Sequence, residues 1–124
     1  MKKGMIITNN PKFKNLHEKN LVVEYHDISA QQLLLLVRDY IHKNYIVLTH
    51  PLHSSLKPNE TPYRSVVISN QAGLKVDFES VQLIESAITT YDKFLNDKQV
   101  ELREEYILKD YQTIDYDLII KAME

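Results

Sequence analysis

The chain of 124 residues has the composition of one globular domain, with 44% hydrophobic residues, 26% charged residues and a formal net charge of -2. A chain of this length buries about two-thirds of its unfolded surface, so we expect a single α/β domain over residues 1–124. The lack of a basic excess argues against nucleic acid as a partner. The lack of cysteine excludes disulfides and thiolate chemistry.

The hydropathy of the chain predicts neither a signal peptide nor a membrane span. The positively charged start is followed by a short apolar run at residues 5–7, far less than the core of a signal peptide. The longest apolar run covers residues 33–37, whereas a membrane helix needs about twenty such residues. We therefore expect a soluble, cytoplasmic protein that has no membrane partner.

The first half of the chain alternates strand and helix signals. Apolar residues at 6–7 predict a strand, and Asn10 followed by Pro11 is a typical start of a short helix. A second strand is predicted at Leu21–Tyr25. A helix over residues 29–43 follows, with a serine as its cap, and Asn44 stands where a left-handed residue ends a helix.

The second half continues the alternation. The apolar run 45–48 predicts a central strand covered on both faces, and Ser65–Ile68 predicts another strand after a long loop. Asp77 caps a strongly periodic helix, and a helical period runs from about residue 100; near 112–113 the sequence fits either one bent helix or two helices. The pattern predicts a compact Rossmann-like or flavodoxin-like layered domain with a mostly parallel four-stranded sheet and C-terminal helices.

The loop 49–64 is the predicted functional centre. It holds three of the four prolines and many polar side chains, and it is longer than most connections, which favours a function over a cover for a sheet edge. If the strands 6–7 and 45–48 are parallel neighbours, Asn9 and His50 face each other at the edge where open α/β folds bind ligands.

An anion is the first candidate ligand of this loop. Ser54, Ser55 and Lys57 offer donors to oxyanions, and Arg64 adds a planar fork. Both glycines of the chain lie outside the loop, which excludes a glycine-rich phosphate cradle. Arg38, on the polar side of the first long helix, would form a wall beneath the loop or else belong to a solvated face.

A metal and a catalytic group are the alternatives. His50 and His53 have the spacing to share one metal with His42 and Glu60, but loop histidines more often serve as hydrogen-bonding groups, so we expect neither a metal nor a cofactor. The acidic residues of the segment 115–117 are attributed to the dipole of a helix start and are assigned no chemistry.

Catalysis would use His50 or His53 as the acid or base, Ser54 or Ser55 as the nucleophile and Glu60 to orient the imidazole. No nucleophile elbow accompanies these residues. A serine beside a histidine is common in polar loops, so the pattern leaves the reaction open.

Four segments resemble the GrdX family: ITNNP at 7–11, VRDYIH at 37–42, LTHPL at 48–52 and KPNETPY at 57–63. The resemblance implies an accessory protein, without an assigned activity, of the glycine, sarcosine and betaine reductase systems of amino-acid-fermenting anaerobic bacteria. The family commonly has serine, glycine and serine after Leu52, where this chain has His53, Ser54 and Ser55. His53 is therefore left out of the catalytic assignment, and His50 is kept.

Three hypotheses of function follow. The leading one is an accessory protein of this reductase metabolism that binds a small anionic metabolite or a partner segment at the loop. The second is a small hydrolase or transferase acting on a phosphorylated or acylated intermediate, with His50 as acid or base. The third is an assembly factor that docks on a reductase subunit, and a homo-oligomer stays open. The predicted ligand-binding residues are Thr8, Asn9, Asn10, Arg38, Thr49, His50, Ser55, Lys57, Asn59, Glu60, Tyr63 and Arg64.

Overall fold

The computed structural model describes residues 4–15, 21–53, 61–97 and 104–123. In chain order its elements are β1 (Gly4–Thr8), a 3₁₀ helix (Pro11–Asn15), β2 (Leu21–Tyr25), α1 (Ala30–His42), β3 (Ser65–Ile68), α2 (Phe78–Asp97) and α3 (Glu105–Ala122). The protein is therefore α/β, as the alternation of strand and helix signals predicts.

The helix boundaries follow the local signals in the sequence. Ser29 Oγ accepts from the backbone N–H of Gln32 at 3.1 Å, and the Gln32 side chain accepts from the backbone N–H of Ser29 at 3.1 Å, which makes a complete capping box. Asn44 has a φ of 77° after α1, as predicted. Asp77 Oδ2 accepts from Ser80 N at 3.0 Å and caps α2. Of the two alternatives near residues 112–113, the structure has one helix, since α3 continues through them.

The sheet differs from the prediction. It has three strands in the order β2-β1-β3. β1 pairs with β2 in parallel, with Ile6 opposite Val23, and it pairs with β3 in antiparallel, with Ile6 opposite Val67. The prediction of a mostly parallel four-stranded sheet, and with it a Rossmann-like or flavodoxin-like domain, is wrong, since the sheet that the described residues form has three strands and is mixed.

The error comes from the segment 45–48, which was expected to be a central strand. Val47 forms only an isolated antiparallel bridge to Ile68, and Ile46 and Leu48 are 40% and 37% exposed. The segment lies beside β3, and β3 separates it from β1. Because the loop 49–64 returns the chain directly to the neighbouring strand, β3 runs antiparallel to both, whereas parallel neighbours need a crossover connection.

Helices cover both faces of the sheet. On one face Ile7 and Val66 belong to a buried cluster with the apolar stripes of α1 and α2. On the other face Ile6 and Val67 pack with Ile119 of α3 and with the 3₁₀ helix. Consecutive strand residues point to opposite faces, so the two clusters are separated by the sheet itself. The ends of β1 and β3 therefore lie between α2 and α3.

Candidate functional site

The candidate site lies where β1 ends and β3 begins. Thr8, the last residue of β1, pairs across the sheet with Ser65, the first residue of β3. Both residues are fully buried, and Asp115 of α3, which is 4% exposed, contacts Ser65. Three elements thus bring polar side chains together inside the protein, where each polar group needs a hydrogen-bond partner.

A chain of hydrogen bonds orients the Asp115 carboxylate. Ser65 Oγ donates to Asp115 Oδ2 at 2.5 Å, so the Ser65 oxygen accepts from the Thr8 hydroxyl at 2.6 Å. Thr8 Oγ1 in turn accepts from the backbone N–H of Asn10 at 2.9 Å. Asn10 Nδ2 donates to Asp115 Oδ2 at 3.0 Å and to the Gln112 carbonyl at 2.9 Å. One carboxylate oxygen is thereby satisfied, and α3 is tied to the sheet.

Asn9 holds three loops together at the same edge. Its Nδ2 donates to the carbonyls of Ile28 and Pro62 at 3.0 and 2.9 Å. Its Oδ1 accepts from Arg64 N at 2.8 Å, and its backbone N–H donates to the Arg64 carbonyl at 3.2 Å. Both N–H groups of the amide are used in this way. The side chain of Asn9 therefore holds the backbone of the three loops in place, including the main chain of Arg64.

His53 approaches the second oxygen of Asp115. Its Nε2 is 3.3 Å from Oδ1, and the two side chains are 11% and 5% exposed. The contact is not a hydrogen bond: among the described residues neither imidazole nitrogen, nor Asp115 Oδ1, has a hydrogen-bond partner. An imidazole beside an oriented carboxylate is an arrangement that enzymes use for proton transfer.

Arg64 is the largest fully buried side chain. None of its three guanidinium nitrogens has a hydrogen-bond partner within the part of the chain that the structure describes. Burial lowers the pKa of Arg64, while the nearby negative charge of Asp115 and then the hydroxyl of Tyr91 raise it. Because arginine retains its proton in proteins, the site contains a buried positive charge with five N–H donors.

The structure brings a group of the predicted residues to this site, namely Thr8, Asn9, Asn10, Tyr63 and Arg64. The Tyr63 hydroxyl accepts from Gln112 Nε2 at 2.8 Å and so links the loop to α3. Another group lies outside the described residues, namely Ser55, Lys57, Asn59 and Glu60.

Other predicted residues have different roles. Thr49 Oγ1 accepts from Val67 N at 3.0 Å and supports the strand-like segment beside β3. His50 is exposed, and its Nδ1 accepts from the backbone N–H two residues later at 3.0 Å, as in a turn. Arg38 forms an ion pair with Glu85 of α2 at 2.9 Å on the outer side of the helix pair. These three side chains do not join the network around Asp115.

Sequence reasoning left His53 out of the catalytic assignment and assigned no chemistry to Asp115. For Asp115 a signal was present, because it stands four and eight residues before Ile119 and Met123, which are both buried. An acidic residue on the apolar stripe of a helix indicates a buried, partnered carboxylate. No comparable pattern marks His53, whose contact with Asp115 arises only when the loop folds against α3.

Two further observations concern the described residues alone. No group of three His, Cys, Asp or Glu side chains there is placed to hold a metal ion. Also, no helix in these parts of the chain is long and apolar enough to cross a membrane. The ionisable side chains at the centre of the described site are Arg64, Asp115 and His53.

Comparison with known proteins gives one match. The model of the GrdX family, described as GrdX-like protein, matches residues 5–124. The matched range includes all the segments that carry the resemblance, and it also includes α3 with Asp115. No curated protein and no solved structure matches the chain significantly. Because the family model covers nearly the whole sequence, the resemblance is confirmed, and the chain belongs to the GrdX-like protein family.

Proposed function

We propose that this protein is an accessory component of glycine, sarcosine or betaine reductase metabolism and that it binds a small anion at Arg64. Membership of the GrdX-like family supports the accessory role. The binding function rests on one observation, the fully buried guanidinium whose nitrogens have no hydrogen-bond partner among the described residues.

Such a guanidinium is unfavourable in a protein that has no ligand. Moving a charged group from water into a protein interior costs several kcal/mol, and each buried donor without an acceptor adds about 1–3 kcal/mol. Asp115 offsets part of the charge but accepts no hydrogen bond from Arg64. A carboxylate or a phosphate would supply both acceptors and the opposite charge, and the planar fork of arginine matches these groups.

The surrounding structure holds Arg64 in place before a ligand arrives. Asn9 bonds both the backbone N–H and the carbonyl of Arg64. The next residue, Ser65, is fixed by the hydrogen bonds of the β1–β3 edge. An arginine whose backbone is held and whose side chain is already buried loses little conformational entropy when it binds, which favours affinity for small ligands.

Thermal unfolding tests the proposal. We expect at least one of phosphate, acetate and glycine to stabilise the wild-type protein, by about 2.7 kcal/mol at a hundred times its Kd. Arg64→Met should abolish this effect. Arg38→Met is the matched control, because it removes the same kind of side chain from the outer side of the α1–α2 pair, where Arg38 is paired with Glu85. Equal ligand effects in wild type and Arg64→Met would contradict the proposal.

A second candidate function is the hydrolysis or transfer of a phosphorylated or acylated group. The distance of 3.3 Å between His53 Nε2 and Asp115 Oδ1 favours it. In the hydrolytic form His53 takes a proton from water, the water oxygen bonds to phosphorus or carbonyl carbon, and the bond to the leaving group breaks. Ser65 is not the nucleophile, since its hydroxyl is fully buried and donates to Asp115.

Hydrolysis of acetyl phosphate and p-nitrophenyl phosphate tests this second function. His53→Gln should lower the rate by about a hundredfold or more, the typical contribution of a general base. His50→Gln is the control, because His50 is exposed and only supports a turn. A rate that falls in the His50 variant and not in the His53 variant would contradict the assignment.

A further inference from the structure

Arg64 and Asp115 are two opposite charges that share a buried site without bonding to each other. Arg64 is fully buried, and Asp115 is 4% exposed. Ser65, next to Arg64 in the chain, is 2.5 Å from Asp115 Oδ2. Nevertheless, the structure shows no hydrogen bond between the guanidinium and the carboxylate. Two buried charges that lie close together usually pair directly, so the lack of a direct hydrogen bond between them needs an explanation.

Each of the two groups has a specific unfilled hydrogen-bonding capacity. The guanidinium has donors and needs acceptor oxygens. Asp115 Oδ1 needs a donor, whereas Oδ2 already accepts from Ser65 and Asn10. His53 Nε2 lies 3.3 Å from Oδ1 but does not hydrogen bond to it. Within the described residues, the site therefore has one positive pole and one negative pole, each with unsatisfied atoms.

We infer that the ligand of this site is a small zwitterion, a molecule with a carboxylate that binds Arg64 and an amino group that donates to Asp115 Oδ1. This inference rests on the proposed anion-binding function and narrows its ligand class. The carboxylate matches the fork of the guanidinium. The ammonium supplies the donor that the second oxygen of Asp115 lacks.

The charge of the site discriminates between ligands of different charge. Arg64 and Asp115 together have a net charge of zero, so a net-neutral ligand with two poles leaves the buried site neutral. A phosphate dianion would pair with Arg64 but would bring additional negative charge near Asp115, and like charges in a partly desolvated site repel strongly. A simple carboxylate avoids part of this repulsion but leaves Oδ1 without a donor.

Calorimetric titration of the wild-type protein with a matched series of ligands tests this inference. Glycine, β-alanine and γ-aminobutyrate carry both poles at increasing separation, and their order of affinity measures the gap between the two protein groups. N-acetylglycine and acetate keep the carboxylate and lack the ammonium. We expect the best amino acid to bind at least about tenfold more tightly than N-acetylglycine and acetate, as one charge-assisted hydrogen bond would give.

Asp115→Asn provides the matching change in the protein. It keeps an oxygen for Ser65 and places an amide donor in the position of Oδ1, so the preference for the amino group should fall to less than about threefold while acetate still binds. If that variant does not fold, the ligand series on the wild-type protein still decides.

Different results would contradict the zwitterion inference and the proposal of anion binding at Arg64. If phosphate or acetate binds as tightly as every amino acid in the series, the zwitterion inference is wrong and anion binding at Arg64 stands. If an amino acid binds equally well to wild type and to Arg64→Met, both are wrong. If neither phosphate nor any member of the series binds at millimolar concentration, both are also wrong.

Discussion

Replacement of Arg64 by methionine is the most direct test of a guanidinium held for a ligand. The methionine side chain extends a similar distance but has no charge and no hydrogen-bond donors. In a protein without ligand, we expect Arg64→Met to raise the free energy of unfolding by about 1–3 kcal/mol, because it removes from the interior a desolvated charge and donors that have no acceptors. Residues held for function commonly reduce stability in this way.

Whether Arg64→Met raises or lowers the free energy of unfolding depends on how much stabilisation the substitution removes from Asp115. Breaking a buried ion pair usually costs about 3–5 kcal/mol, because it leaves the other charge uncompensated. Here Arg64 donates no hydrogen bond to Asp115, and Asp115 keeps two hydrogen bonds, from Ser65 and Asn10. Arg64→Met therefore removes little stabilisation from the Asp115 carboxylate. Asp115→Ala should instead lower the free energy of unfolding by about 3–5 kcal/mol, because it leaves several partners unsatisfied.

Urea unfolding in a chloride buffer without phosphate or carboxylates measures both variants. The reasoning fails if Arg64→Met lowers the free energy of unfolding by more than about 2 kcal/mol, since the guanidinium would then be a structural partner of another group. Glu60 lies outside the described residues and is the acidic residue of the loop. If it were that partner, Glu60→Gln would cause a loss of similar size.

Three further predictions concern the parts of the fold that support the site. Asn9→Ala removes three hydrogen bonds that join loops and should lower the free energy of unfolding in urea by about 2–4 kcal/mol; a change below about 1 kcal/mol would contradict the role of Asn9. Gly4→Ala places Cβ 2.6 Å from Val67 Cγ1 and should lower the free energy of unfolding by about 1–3 kcal/mol. If the variant is as stable as the wild type, the strands adapt to the added methyl group and the prediction is wrong. Burial, and then the Glu24 carboxylate, raise the pKa of Tyr40 from 10.0 to about 12. Because the unfolded tyrosine ionises first, stability should fall as the pH rises from about 10 to 12, and this slope should be smaller in Tyr40→Phe; identical slopes would refute the shift.

The helices were predictable because their signals are local. Ser29 caps α1 and Asp77 caps α2 through bonds to residues three positions later. Asn44 takes the left-handed conformation after α1, because its short polar side chain tolerates positive φ. Such features depend on a few neighbouring residues, so a single sequence contains them.

The sheet was less predictable because an apolar run does not encode its direction or its neighbours. The segments 45–48 and Ser65–Ile68 are both short and apolar, and both fit a strand of either direction. The two segments are antiparallel because the loop 49–64 connects them directly as neighbours. The prediction assumed a crossover connection between successive strands and did not allow for such a direct connection. The same folding step brings His53 to Asp115, which is distant in sequence.

The position of His53 separates the two candidate functions. Proton transfer depends on the imidazole of His53, whose Nε2 lies 3.3 Å from Asp115 Oδ1. Arg64 needs no help from His53 to bind a carboxylate, because Asn9 holds its backbone and its guanidinium nitrogens have no partner among the described residues. Ligand binding at Arg64 therefore does not depend on His53. Proton transfer by His53 and Asp115 would be a separate function that uses the same buried carboxylate.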